Sequence, residues 1–199
     1  IDMPTSVTPG AVDLNAGITK RYYTPGNTTI GGPLRGQVTI DSTGDITITS
    51  NITSAIPTGS INPTNDPVLL VKARNIYIAS NVTRVDAILV ATNDIRTCTT
   101  AGGATIAPAS LDTTCNTPLI INGAVNALGR VHFERTSGTR YLSNSALTEP
   151  GSPFNAPAAG NANPAETINF PAYLNFMPLN TQDLSRQGYD SYTVLPPRL

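Results

Sequence analysis

Between Thr28 and about Phe133, short runs of β-branched and other apolar residues alternate with polar ones, and Gly, Asn, Asp or Ser breaks each run. Val38-Thr39-Ile40 is followed by Ile46-Thr47-Ile48 and Ile52. Val68 to Val71, Ile76-Tyr77-Ile78 and Val82 come next, then Ile88-Leu89-Val90 and Ile95. Leu119-Ile120-Ile121, Val125 and Val131-His132-Phe133 close the series. A period of two, carried by Val, Ile and Thr, predicts strands whose successive side chains face opposite ways. The spacing of an amphipathic helix is missing from this stretch.

The strands also repeat. The segment from Asp45 to Thr53 aligns with that from Asn75 to Thr83 at an offset of about 30 residues, sharing Asp/Asn-Ile-x-Ile-x-Ser-Asn-Ile/Val-Thr. A looser third copy, Leu119 to Val125, follows about 43 residues later, the excess being about the size of the segment from Cys98 to Cys115. A fixed period of this kind means stacked supersecondary units, and units made only of short strands predict an all-β parallel β-helix, or solenoid. Each coil would turn Ile and Val inward onto its neighbours, with Thr and Ser facing water. The pairs Ser50-Asn51 and Ser80-Asn81 fall where the chain must bend, a place that suits Asn because its side chain can bond its own backbone. The alternative is an antiparallel β-sandwich, which the same strands could build but which gives no reason for the repeat.

Three regions follow. Residues 1–27 carry Pro and Gly without a sustained period and read as an N-terminal cap or exchange strand. Residues 28–142 are the solenoid, with the Cys98–Cys115 loop leaving the stack at Thr97 and rejoining near Pro118. Residues 143–199 begin as an Ala, Asn, Pro and Ser-rich linker and end in an aromatic, Pro-rich stretch. That stretch is too apolar for a free tail and is expected to strap back over the solenoid. Its anchors, and candidate assembly contacts, are Phe170, Tyr173, Phe176, Tyr189 and Tyr192, with a short helix over Gln182 to Gln187.

Composition narrows the class. Apolar residues make up 39% and charged residues 13%, with only two lysines, Lys20 and Lys72, and a net charge of −1. Neutral, hydroxyl-rich surfaces of this kind suit extracellular β proteins. The basic patches of a nucleic-acid binder are missing, and no apolar run reaches the ~20 residues of a membrane span. The chain starts at Ile1 without a leader sequence, as expected if an N-terminal part has been removed. Cys98 and Cys115 enclose a Gly/Ala/Thr loop with little else to hold it, and a disulfide in an oxidising compartment is preferred over two separate buried thiols. Two Cys and one His do not suffice for a metal site.

The stacked coils resemble the polymer-forming β-helical proteins of bacteria, of which the bactofilins are the familiar members. RVDAILVA, LIINGAVNA, VHFERT, NPAETINF and the terminal LPPR are together similar to the final domain of uncharacterised bacterial cell-surface proteins. The resemblance spans roughly Val68 to Leu199. It implies a β-helix, an extracellular location and a role in surface structure, adhesion or filament formation, and it carries over no catalytic residue. Bactofilins are cytoplasmic and need no disulfide, so the Cys pair favours the surface group.

No catalytic constellation is visible. His132, the only histidine, lies between Val131 and Phe133 and should point outward, and no G-x-S-x-G elbow accompanies it. Asp86 and Asp94, near Arg84 and Arg96, are the best pair for a glycosidase, but a solvated ion-pair face explains them more simply. Asp41-Ser-Thr-Gly-Asp45 suggests a calcium loop yet lacks the further ligands, so a turn is expected. The sequons at Asn27, Asn51 and Asn81 could accept glycans, although two sit at the repeat's corner. Lys72, if it faced inward beside an Asn and an acid, could form an isopeptide crosslink. The reading is therefore a non-enzymatic, cofactor-free, extracellular structural protein that self-associates into a filament, fibre or surface layer. The alternative is a carbohydrate- or receptor-binding adhesin module, phage tail-spike-like pieces included, with a glycan or host surface as partner.

Overall fold

A computed structural model describes residues 5–6, 12–15, 19–54, 67–136 and 165–170. In chain order its strands are β1 (Thr5–Ser6), β2 (Lys20–Thr24), β3 (Thr28–Leu34), β4 (Gln37–Ser42), β5 (Ile46–Ser54), β6 (Val68–Ala73) and β7 (Ile76–Ala79). There follow β8 (Arg84–Val85), β9 (Ile88–Ala91), β10 (Ile95–Thr99), β11 (Leu119–Asn122), β12 (Ala124–Ala127), β13 (Val131–His132) and β14 (Glu166–Asn169). Among the described residues, helical structure is confined to a 3-10 turn, Pro108–Ser110, and a single turn α1, Leu111–Thr114. No helix is long and apolar enough to cross a membrane.

The strands form two sheets and curl into a half-barrel. One sheet runs β1-β2-β4-β6-β9-β12. The other has two arms because β3 and β5 bend. Residues 28–30 and 46–48 pair along a series with β7, β10 and β13, whereas 32–34 and 52–54 turn away to a series with β8, β11 and β14. Among the described residues every strand pair is parallel, and the one antiparallel bridge, Thr99 to Thr105, lies outside the ladders. This pairing rules out the antiparallel sandwich, whose neighbouring strands must run in opposite directions.

Register explains the alternation in the sequence. Thr28, Ile46, Ile76, Ile95 and Val131 lie over one another, as do Tyr22, Ile40, Val71, Leu89 and Val125, and Ile52, Val85, Ile121 and Ile168. Ile40, Ile46, Ile48, Ile52, Ile76, Ile78, Leu89 and Ile95 are wholly buried. Like side chains in parallel register pack flat against each other, and burying each aliphatic one is worth roughly 1.5–3 kcal/mol. The residues between them, such as Thr39, Leu70, Ile88 and Ala124, form columns on the outer face.

The repeat differs from the one read in the sequence. Equivalent corner residues Asn27, Asp45, Asn75, Asp94 and Arg130 are separated by 18, 30, 19 and 36 residues. The bare circuit is therefore 18–19 residues, and the 30-residue offset is a circuit lengthened by an insertion that contains residues 55–66. Alignment by eye fails at two further points. Ile52 pairs with Val85 and not with Val82, because the second copy takes three extra residues round its corner. The third copy belongs to another ladder: Ile121 pairs with Val85, while the strand that stacks on Ile76-Tyr77 is Ile95-Arg96.

The 36-residue circuit holds the long loop. It leaves at the end of β10, returns at β11, and is closed by a disulfide between Cys98 and Cys115, both fully buried, with an S–S distance of 2.06 Å. β14 then adds Glu166–Asn169 to β11, a parallel strand inside the region read as linker and strap. The segment Gln182 to Gln187, read as a short helix, lies outside the described residues. Closing a loop of this length constrains the unfolded chain by about 3 kcal/mol. Replacing both Cys98 and Cys115 by Ala should lower the unfolding free energy by about that amount in a urea titration. Reducing agent should have no effect on the variant.

Candidate functional site

Four successive turns from the first sheet into the second fall at an Asn or Asp, and the last falls at Arg130. Asp45 N–H donates to Asn27 Oδ1 at 2.9 Å, Asp94 N–H to Asn75 Oδ1 at 3.1 Å, and Arg130 N–H to Asp94 Oδ1 at 2.9 Å. The Asn75 amide donates to Asp45 Oδ1 at 2.8 Å. In the opposite sense, the N–H of the residue after each corner donates to the carbonyl of the next one: Thr28 to Asp45, Ile46 to Asn75, Ile76 to Asp94 and Ile95 to Arg130. Short Asx side chains can reach the neighbouring backbone here, which longer ones cannot do without buckling the corner. Gly44 is required for a related reason, since a Cβ there would lie 2.4 Å from the backbone of Gly26.

These bonds settle the groups singled out in the sequence. In the suspected calcium loop, the Ser42 hydroxyl donates to the Gly26 carbonyl and accepts from Gly44 N–H. Asp41 faces Arg21, and Asp45 is held by Arg74 through two bonds of 2.9 and 3.1 Å. The loop is thus a turn, as expected. The Arg74 bonds draw the Asp45 carboxyl below its ordinary value of 3.8. Asp94 is lowered by the Arg130 N–H first and by His132 second. His132 Nε2 lies 3.3 Å from Asp94 Oδ2, and Arg96 pairs with Glu134 rather than Asp94.

Asp86 lies in a separate network. It is buried and accepts bonds from Ser54 N–H and hydroxyl, Arg84 and the Asn122 amide. Burial pushes its carboxyl up, but these donors outweigh it and leave it lowered. Asp86 and Asp94, the pair considered for glycoside cleavage, are not brought together. Lys72 alternates outward between Val71 and Ala73, so the condition for an isopeptide bond is not met. The sequon side chains already have structural work: Asn51 Oδ1 accepts the N–H groups of Thr83 and Arg84, and the Asn81 amide donates to Thr49 O.

One residue with no signal in the sequence stands out. Arg135 is buried, and its guanidinium donates to the carbonyls of Thr97, Ala79, Ser80 and Thr117. Its own N–H and the Thr97 hydroxyl both donate to Glu166 Oε1. Burial pulls the guanidinium down to about 10, still charged at neutral pH. It supplies donors to carbonyls at the mouth of the disulfide loop, where no described strand does so.

Two surfaces remain available for partners. The first is the outer face of the second sheet, where Thr29, Thr47, Tyr77, Arg96 and His132 lie in one column. The turn at Ala101 to Gly103 overhangs it, leaving a groove of about 330 Å³ lined by Asn27, Thr29, Asp45, Thr47, Tyr77 and Gly102 among others. The second is the end of the stack. Val125, Ala127 and Val131 cover the core only in part, and Ile168 is 43% exposed although Ile121, its partner in register, is 2% exposed. Leu128, Phe133 and Phe170 are exposed around it. The opposite end differs: Leu14 is buried there, its carbonyl accepts Arg35 N–H, and Tyr22 hydroxyl donates to Asp13 O. Of the aromatic anchors read from the sequence, Phe170 is exposed, and Tyr173, Phe176, Tyr189 and Tyr192 lie outside the described residues.

Comparison with protein-family models, curated proteins and solved structures found no match. Function must therefore be argued from these surfaces.

Two outcomes follow for the networks. Carboxyls lowered in the fold stabilise it above about pH 4, and that contribution is lost as pH falls through their lowered values. Unfolding free energy should drop between about pH 5 and pH 2. Asp86→Ala should cost about 2–4 kcal/mol at pH 7, because it strands the Asn122 and Ser54 donors, and should flatten that acid limb. Arg135→Met should cost about 2–4 kcal/mol in the same titration, with Lys at this position recovering only part, since one ammonium cannot span four carbonyls.

Proposed function

We propose that this chain is a parallel β-helix and a structural, non-enzymatic module of an extracellular surface, which assembles through the open end of its stack. The end itself is the observation that carries the reading. β12, β13 and β14 have a partner strand on one side only among the described residues, and the apolar side chains above the core there are partly buried at Val125, Ala127 and Val131 and exposed at Ile168. A parallel edge unpaired among the described residues, over exposed Ile168 and partly buried Val131 and Val125, is a template for a further turn, and open edges of this kind pair with another chain unless blocked. The asymmetry of the two ends favours a directional, head-to-tail contact, which propagates when it does not close into a ring. Extracellular placement draws on the disulfide and the low charge. The resemblance to polymer-forming β-helical surface proteins points the same way.

The wild-type chain should form concentration-dependent oligomers or filaments, seen by light scattering after gel filtration and by negative-stain electron microscopy. Ile168→Glu and Ala127→Glu, which set charges on the open end, should leave a folded monomer. A monodisperse wild-type monomer at every concentration would sink the proposal.

A further inference from the structure

We infer that the groove beside Tyr77 is a binding site for an uncharged saccharide of one or two rings. The inference is independent of assembly, because the groove lies on the flank of the stack and not at its end. Four observations carry it.

Size comes first. About 330 Å³ is at the low end of the range for small-molecule clefts, ~300–1,000 Å³, and matches a small ligand. The second is the platform. Tyr77 points outward from β7, half-buried, with Thr47 beside it in register and the Gly103 turn against its ring edge. Gly103 has φ +81°, and a Cβ there would lie 2.9 Å from Tyr77 Cδ2, so only glycine lets the turn hold the ring in place. A fixed, half-buried aromatic among polar side chains suits the C–H face of a sugar ring.

The third is the set of polar groups around the ring. Asn27, Thr29 and Tyr77, which line the groove, bring a side-chain amide and two hydroxyls to it. Hydroxyl and amide groups that both donate and accept match sugar hydroxyls. The fourth is charge. The groups that act electrostatically on Tyr77 are Asp45, Arg74, Arg96 and Asp94, two of each sign. Asp45 is neutralised by Arg74, and Arg96 by Glu134. A balanced field offers nothing to a phosphate or a sulfated chain and excludes no neutral ligand.

The test uses the full chain in the Ile168→Glu background, so that assembly does not enter the readout. Cellobiose, maltose and N,N′-diacetylchitobiose are titrated by calorimetry and by Tyr fluorescence, with a heparin disaccharide as the charged comparison. Tyr77→Ala removes the platform. Gly102→Leu fills the groove, and it should fold normally because nothing lies within 3.9 Å of a Cβ there and its backbone is not left-handed. Asn126→Ala, on the outer face of the other sheet, is the control. Saturable binding of at least one neutral disaccharide, weakened about tenfold or more by both groove variants and unchanged in the control, is expected. The inference is overturned by no binding of any neutral probe up to about 10 mM, by binding that survives both variants, or by binding of the heparin fragment alone. Circular dichroism and thermal melting of each variant separate loss of binding from loss of fold.

Discussion

The fold depends on a reciprocal bond at one corner. An Asn or Asp side chain accepts or shares a bond with the corresponding residue one circuit on, while the next backbone N–H donates to that residue's carbonyl. This clamp sets the circuits in register just before the second-sheet strands begin. With register fixed there, Ile46, Ile76 and Ile95 lie over one another, and one inward column of the core follows. Because side chains alternate along a strand, a slip of one residue would turn the whole apolar set to water. Short strands pair weakly by themselves, so the corner bonds matter more here than they would beside long strands.

Many strands and their inward residues were legible in the sequence, since inward Ile40, Ile46, Ile48 and Ile95 are each bracketed by polar neighbours, whereas Val71, Leu89 and Ile121 have apolar outer neighbours. The disulfide was legible because nothing else could hold a Gly/Ala/Thr loop. The true circuit was not. The best-matching pair of segments, 45–53 and 75–83, spans the circuit that carries an insertion, and the similarity of Val82 to Ile52 hid three extra residues at the next corner. The first-sheet corner was not read as one: Asp45 and Asn75 only open the repeated pattern, whose bend was placed at Ser50-Asn51 and Ser80-Asn81, while Asn27 precedes Thr-Thr-Ile and Asp94 precedes Ile-Arg-Thr, and neither has the Ile-x-Ile signature. Arg135 had no local signal at all: its partners lie 18 to 56 residues away. Tyr77 read as one more alternating strand residue, and its value depends on a glycine turn that the sequence does not tie to it.

The two ends of the stack differ physically. At the first circuit, Leu14 closes the core and Asp13 and Leu14 offer carbonyls to Tyr22 and Arg35. At the last, among the described residues, the columns end in side chains that are only partly covered. Stacks of this kind draw stability from contacts between neighbouring circuits, so the end circuit is held from one side only. Glu166 and Arg135 partly offset this. They tie β14 and the segment after β13 to the loop mouth at Thr97, where ladder bonding between strands gives way to side-chain bonds.

Circuits of 18, 30, 19 and 36 residues coexist in one stack without disturbing its register. Length is therefore a free variable at certain points of the chain, while spacing between circuits is not. The loop between Cys98 and Cys115 is the plainest such point, since its two ends are pinned together and buried in the protein. Whatever sequence lies between them, the stack meets the same two anchors. The architecture thus separates a constant part, which sets shape, from a replaceable cassette that could change from one chain to another, or be exchanged by design, without any change in the coils beneath.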